Sequence, residues 1–175
     1  MSEFTGRLPR NLYSAAQVRA LDRIVIDKVA IAGFKLMRVA GSVTFDALRE
    51  RWPQVKHIVV FVGSGNNGGD GYIIAGLGKQ QGLNVELVQV GDAAKLKGDA
   101  RLAFEWAEQA KVSMLSWQDY LDAEIGPYPG QQTVLVDALL GTGLAGPVKG
   151  LYVAAIDLLN NLDHPVVAVD IASGL

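Results

Sequence analysis

The sequence predicts a doubly wound α/β fold: three layers, α/β/α, around a mainly parallel sheet, with two helices ahead of the first strand. Three observations carry that expectation. Short unbroken apolar runs recur along the chain, and such runs suit strands buried on both faces of a parallel sheet. Segments with helical periodicity separate these runs, and strands alternating with helices require right-handed crossovers and parallel pairing. Hydrophobic residues make up 50% of the 175 residues, charged residues only 19%, and 20 are glycine, which fits a large core joined by tight turns.

The even composition leads to an expectation of one domain over residues 1–175. Eighteen acids against sixteen bases give a net charge of −2, so no long-range positive field gathers nucleic acid. Cysteine is absent, which excludes disulfides and thiolate-bound metals. Residues 1–10 contain Glu3 and no apolar run, so they read as neither a signal nor a transit peptide; a cytoplasmic location without a membrane partner is expected.

Along the chain, Ser14 and Gln17 fit a capping box, with Val18, Leu21, Val25 and Val29 on one stripe and Gly33 closing the helix. Leu36, Ala40, Val43 and Ala47 mark a second helix that ends near Trp52, ahead of Pro53. Both stripes are expected to be core or dimer contact. Ile58 to Val62 is the first strand, a helix runs from about Asp70 to Gln81, and Val85 to Val90 alternates as a less buried second strand. Ala100 to Ala110 reads as helix, Val112 to Leu115 as a weak third strand, and 116–130, with Pro127 and Pro129, as irregular. Thr133 to Asp137 is the fourth strand, Leu151 to Leu159 a helix, and Val166 to Asp170 the fifth strand. The expected strand order is 3-2-1-4-5, with the ligand crevice between strands one and four, where the order reverses.

Ligands of such sheets bind at the carboxyl ends of the strands, and three loops lie there. The first, Gly63-Ser64-Gly65-Asn66-Asn67-Gly68-Gly69-Asp70-Gly71, holds a G-x-G-x-x-G directly between a strand and a helix. Glycines let the backbone approach a ligand, and free N–H groups at a helix start attract anionic oxygens. Asp70 competes with a phosphate for the helix end, so it reads either as an acceptor for ligand hydroxyls or as a plain cap. The second loop is Asp137 to Pro147 and the third Asp170 to Gly174; each begins with an aspartate at a hydrophobic strand end, where a charge is costly unless paired, hydrated or bound to a cation. Asn67, Asp137, Ser173 and main-chain carbonyls offer only oxygen ligands, a set for a hard cation rather than zinc or copper. His57 and His164 both precede strands, opposite this edge, and are expected at the surface with no acid/base role.

In order, GSGNNGGDGY, VDALLGTGL and VAVDIASGL resemble the epimerase domain of the NAD(P)H-hydrate repair enzymes, the YjeF N-terminal family; LYSAAQVRALD and LMRVAG look similar too. The resemblance implies a Rossmann-like fold and interconversion of the R and S forms of NADHX and NADPHX, the hydrated cofactors. It implies substrate contacts at Asn66, Asn67, Gly68, Gly69, Asp70, Gly141, Thr142, Gly143, Leu144, Ala145, Gly146, Pro147 and Asp170. It also implies potassium ligands at Asn67, Asp137 and Ser173 and a separate NAD(P)HX dehydratase as functional partner; the chemistry of the hydrate assigns the acid/base role to Asp170, and the apolar stripes of the first two helices leave a homodimer open. Ala172 stands where the family has proline, a change expected to loosen the third loop. The family continues beyond SGL, so the domain is expected to be incomplete at its C-terminal end, with strand five as an exposed edge. Two other readings are a dehydrogenase using Asp92 after strand two, and a non-catalytic nucleotide-binding or scaffold module; the joint presence of Asn67, Asp137, Asp170 and Ser173 favours the enzyme.

Overall fold

A computed structural model of the chain describes residues 13–28, 32–123 and 132–175. It falls into two compact units, Met1–Ala32 and Gly33–Leu175. In the first, α1 spans Ala15–Lys28 and opens with the capping box read from the sequence. The Ser14 N–H donates to Gln17 Oε1 at 2.8 Å and the Gln17 N–H to Ser14 Oγ at 3.3 Å. Val18 and Leu21 of the expected stripe are exposed. Val29 lies outside the described residues.

The second unit begins with α2 (Gly33–Arg51), so Gly33 opens this helix and does not close the one before it. The buried face of α2 is Met37, Gly41, Phe45 and Leu48, not the expected Leu36, Ala40, Val43 and Ala47. That stripe is rotated off the core because α2 meets α3 (Asn66–Gln80) through a glycine: a Cβ at Gly41 would stand 2.7 Å from the Ile73 side chain. Val43 and Ala47 instead line a shallow apolar groove beside Val167 and Ala168.

β1 (His57–Val62), β2 (Asn84–Gln89), β3 (Ser113–Ser116), β4 (Thr133–Ala138) and β5 (Val166–Ala168) form one parallel sheet in the order β3-β2-β1-β4-β5, as expected. β1 is buried along its whole length, and its alternate side chains serve the two faces. Ile58, Val60 and Val62 join Phe45, Leu48, Tyr72 and Ile73 on the side of α2, α3 and α4 (Gly98–Gln109). Val59 and Phe61 join Trp117, Tyr120, Ala155 and Leu159 on the side of α5 (Trp117–Asp122) and α6 (Leu151–Asn161). Burying each of the larger apolar side chains contributes about 1.5–3 kcal/mol, so the central strand anchors both layers.

Three boundaries differ from the sequence reading, the first being β5, which ends at Ala168 and leaves Val169 and Asp170 to the loop. α5 forms where irregular chain was expected, because Ser116 caps it, its Oγ accepting from the Asp119 N–H at 3.1 Å. The rest of that stretch, with Pro127 and Pro129, lies outside the described residues. α3 starts at Asn66, so the stretch Asn66 to Gly69 is the first helical turn rather than loop, and Asp70 lies beyond the cap position. Several glycines weaken a helix in isolation, each by about 1 kcal/mol relative to Ala. Here they allow contact that no side chain would: a Cβ at Gly71 would stand 2.6 Å from Ala138 Cβ and 2.7 Å from Val62 Cγ1. α3 therefore lies hard against β1 and β4. Tyr72, next along, keeps its hydroxyl inside by accepting a bond from Gln89 Nε2 at 3.1 Å, and burial pushes its pKa up to about 12.

Candidate functional site

The carboxyl ends of β1, β4 and β5 bring the three predicted loops to one place. Gly141 marks it: a Cβ there would stand 2.7 Å from Asp170 Oδ2 and 3.3 Å from Asn67 Cβ. A residue from each loop thus meets at a point where only glycine fits. Asp170 lies just past β5, exposed, and its Oδ2 accepts from the Thr142 N–H at 2.8 Å, which ties the third loop to the second. Its Oδ1 has no partner among the described residues and faces no competing bond.

Asp137, near the end of β4, is buried at 5% exposure. Its Oδ1 accepts from Ser173 Oγ at 2.7 Å and from the Leu139 N–H at 3.1 Å, and its Oδ2 accepts from the Ser173 N–H at 2.8 Å. Ser173 Oγ in turn accepts from the Leu140 N–H at 2.9 Å and lies 3.2 Å from the Leu140 carbonyl. These bonds hold the third loop to the end of β4, and Gly174 completes the turn at φ 94°. No basic side chain among the described residues pairs with Asp137.

Asn67 is 9% exposed, and both its amide atoms are buried without a hydrogen-bond partner. An unsatisfied buried amide costs about 1–3 kcal/mol, so its retention at the start of α3 points to a ligand that supplies the missing bond. An orphaned amide at the start of α3 and a buried carboxylate with no basic partner are both groups that suit a hard cation rather than zinc or copper. No cluster of three or more His, Cys, Asp or Glu side chains that could hold a metal ion occurs among the described residues.

The remaining predicted positions divide. Gly68 and Gly69 are buried and their Cα atoms are used for packing, the first against the Gly63 carbonyl and the second against Met37. Asn66 is exposed and Asp70 half-buried. Gly141 is half-buried, while Thr142, Gly143, Leu144, Ala145, Gly146 and Pro147 form an exposed rim. The main-chain N–H of Leu140, which donates to Ser173 Oγ, left no mark in the sequence because any residue but proline supplies that group.

His57 and His164 lie at the amino edge, as expected, but His57 is buried at 8% exposure and not at the surface. The reason is register: His57 sits in the central strand between Asn84 and Thr133 of its two neighbours. A cleft of about 470 Å³ opens at that edge, lined by Lys56, His57, Lys79, Glu86 and Thr133 among others. It contains none of the motif residues, so volume and chemistry disagree, and the convergence of buried polar groups is the better guide to function. The dehydrogenase reading loses its acid, because Asp92 Oδ1 accepts from the Ala94 N–H at 2.9 Å and caps a 3-10 turn. No helix among the described residues is long and apolar enough to cross a membrane.

Comparison with known proteins agrees with this arrangement. Residues 33–175 match the family described as YjeF-related protein N-terminus. The chain is 37% identical over 164 residues to the bifunctional NAD(P)H-hydrate repair enzyme Nnr of Coxiella burnetii, covering 94% of this chain and 32% of that protein. It thus spans about a third of that bifunctional relative. It is 34% identical to the NAD(P)H-hydrate epimerase of Limosilactobacillus fermentum, covering 93% of this chain and 74% of the relative. The crystal structure of yeast ynu0 superposes with a TM-score of 0.76 at 22% identity, over 92% of this chain and 70% of that one, which supports the fold. On the family match and the identity to a relative of comparable length, the chain belongs to the YjeF N-terminal family.

Proposed function

We propose that the chain epimerises the R and S forms of hydrated NADH and NADPH, with Asp170 as acid and base. The observation that carries this reading is the meeting of Asp170, Gly141 and the orphaned Asn67 at one crevice of a chain similar to NAD(P)H-hydrate epimerases.

The hydrate bears its hydroxyl on a carbon next to the ring nitrogen. A proton passes from the Asp170 carboxyl to that hydroxyl, the C–O bond breaks, and the nitrogen lone pair forms the iminium as water leaves. Water then adds to the other face and returns a proton to the Asp170 carboxylate, so the enzyme ends as it began. The Thr142 N–H holds Asp170 Oδ2, which leaves Oδ1 to exchange the proton. The exposed rim Thr142 to Pro147 and Asn66 to Asp70 flank the substrate in this reading, with Gly68 and Gly69 acting through close packing.

Asn67, Asp137 and Ser173 hold potassium in this reading. When bound, the ion supplies positive charge next to the substrate and the oxygen-bonding partner that the Asn67 amide lacks. A homodimer and a separate NAD(P)HX dehydratase that consumes one epimer complete the proposal.

The test is to add the purified chain, in potassium buffer, to R-NADHX and follow both epimers by chromatography. We expect acceleration over the spontaneous rate, and a fall of about 10²–10⁴-fold in Asp170→Asn. Full epimerisation by Asp170→Asn with unchanged binding would overturn the assignment of the acid/base.

A further inference from the structure

A row of polar side chains at the amino edge of the sheet plays no part in the proposed reaction. Asn84, His57 and Thr133 are the first residues of β2, β1 and β4 and are partners in register, so they lie side by side across three adjacent strands. His57 shares its face with Val59 and Phe61, which pack against α5 and α6. His57 and Thr133 are more than nine-tenths buried, at 8% and 2% exposure. The Thr133 hydroxyl makes no hydrogen bond among the described residues. Strands buried on both faces are normally apolar throughout, so packing alone gives no reason for this row.

The row opens into the cleft of about 470 Å³ at that edge. Val85 is the sole apolar residue among the described residues that line it, so an aliphatic or aromatic ligand gains little there. Lys56 and Lys79, both exposed, face one carboxylate, Glu86, which makes the cleft locally basic on a chain of net charge −2. Lys79 lies in the last turn of α3, where main-chain carbonyls often hold an ammonium. Those carbonyls are taken, because Leu77, Gly78 and Lys79 accept from the N–H groups of Gln81, Leu83 and Gly82. Neither lysine forms an ion pair with a described residue. The charged and titratable groups around His57 are Glu86, 3.8 Å from its Nε2, His164 ahead of β5, and the two lysines of the cleft; the Tyr120 phenol of α5 also feels Glu86. Burial keeps the His57 ring neutral at pH 7.

We propose that this cleft is a second binding site, for a tetrahedral oxyanion such as phosphate, held by the Lys56 and Lys79 ammonium groups with the Thr133 hydroxyl and the imidazolium of His57 as buried donors. Protonated His57 offsets Glu86 and leaves the charge of both lysines to the ligand. Anion and proton therefore bind together, each favouring the other by the same factor. The site shares no residue with the crevice at the carboxyl edge, and it stands or falls independently of the epimerase reading.

Sulfate is the probe, because it is a dianion throughout the range from pH 5.5 to 8. Calorimetry with sodium sulfate, against sodium chloride at equal ionic strength, is expected to show binding about tenfold tighter at pH 5.5 than at pH 8, which corresponds to one pH unit of proton affinity gained by His57. His57→Gln should bind with the weaker affinity at both pH values. Lys56→Gln combined with Lys79→Gln should abolish binding at both, and since these side chains are exposed the unfolding midpoint should hold. Heats for the parent no larger than the chloride control at pH 5.5, or sulfate binding that survives the loss of both lysines, would overturn the site. Full pH dependence in His57→Gln would overturn the part assigned to that ring.

Discussion

His57 shows how a residue remote from the site shapes the response to pH. Burial lowers its pKa from the usual 6.5; Glu86, 3.8 Å away, opposes that effect and His164 reinforces it. The unfolded chain therefore takes up a proton near pH 6.5 that the folded chain refuses. Its contribution to stability is full above that pH and is lost as pH falls towards the lower folded value. Urea midpoints taken from pH 7.5 down to 5.5 should fall in the parent chain and fall less steeply in His57→Gln. Parallel slopes for the two proteins would show that some other group governs the change. Asp137 and Asp170 illustrate the opposite case, residues whose place was legible. A carboxylate at the end of an apolar strand has few reasons to be there, and both proved to be held by loop N–H groups, at 2.8 Å for each Oδ2. The orphaned amide of Asn67 was not legible as such, because a sequence shows that an Asn is present but not that nothing answers it.

Among the elements, apolar runs located the strands well because a strand buried on both faces has no choice of side chain. Helix registers were harder. α2 packs through Gly41, which adds nothing to a hydrophobic pattern, so the visible stripe of Leu36, Ala40, Val43 and Ala47 was one position away from the true face. α3 was obscured in the same way: Asn66 to Gly69 reads as loop because glycine is a poor helix former, yet it forms the first turn of the helix in tight contact with its neighbours. The glycines of this turn are thus constrained by packing as well as by any ligand. Gly68→Ala tests that. Its methyl would overlap the Gly63 carbonyl, and this oxygen belongs to the turn that starts the loop. Overpacking of this kind costs about 1–3 kcal/mol, against roughly 1 kcal/mol gained from helix propensity. We expect net destabilisation in urea denaturation, together with weaker ADP-ribose binding as the Gly63 turn shifts. A Gly68→Ala chain more stable than the parent, with unchanged binding, would show that the turn has room to spare.

For the whole molecule, strand order and the position of the crevice followed from topology alone, since the reversal between β1 and β4 dictates where loops diverge. What topology could not foresee is how the second and third loops are joined: by hydrogen bonds of Asp137, Asp170 and Ser173. A cation held by Asn67 of α3, Asp137 of β4 and Ser173 after β5 would link elements far apart in sequence, and so add to the stability of the entire fold. Binding to the folded state alone adds RT ln(1 + [L]/Kd), about 2.7 kcal/mol when the free ion is a hundredfold above its Kd. For a chain of this length that corresponds to a rise of roughly 5–10 °C in the unfolding midpoint. Thermal melts in potassium chloride and in lithium chloride at equal ionic strength separate this from screening. The midpoint should be higher in potassium for the parent chain, and the difference should vanish in Asn67→Ala, whose own packing cost appears equally in both salts. Identical midpoints of the parent in the two salts, across the millimolar range, would remove the cation from this site and leave the Asn67 amide to be answered by the substrate itself.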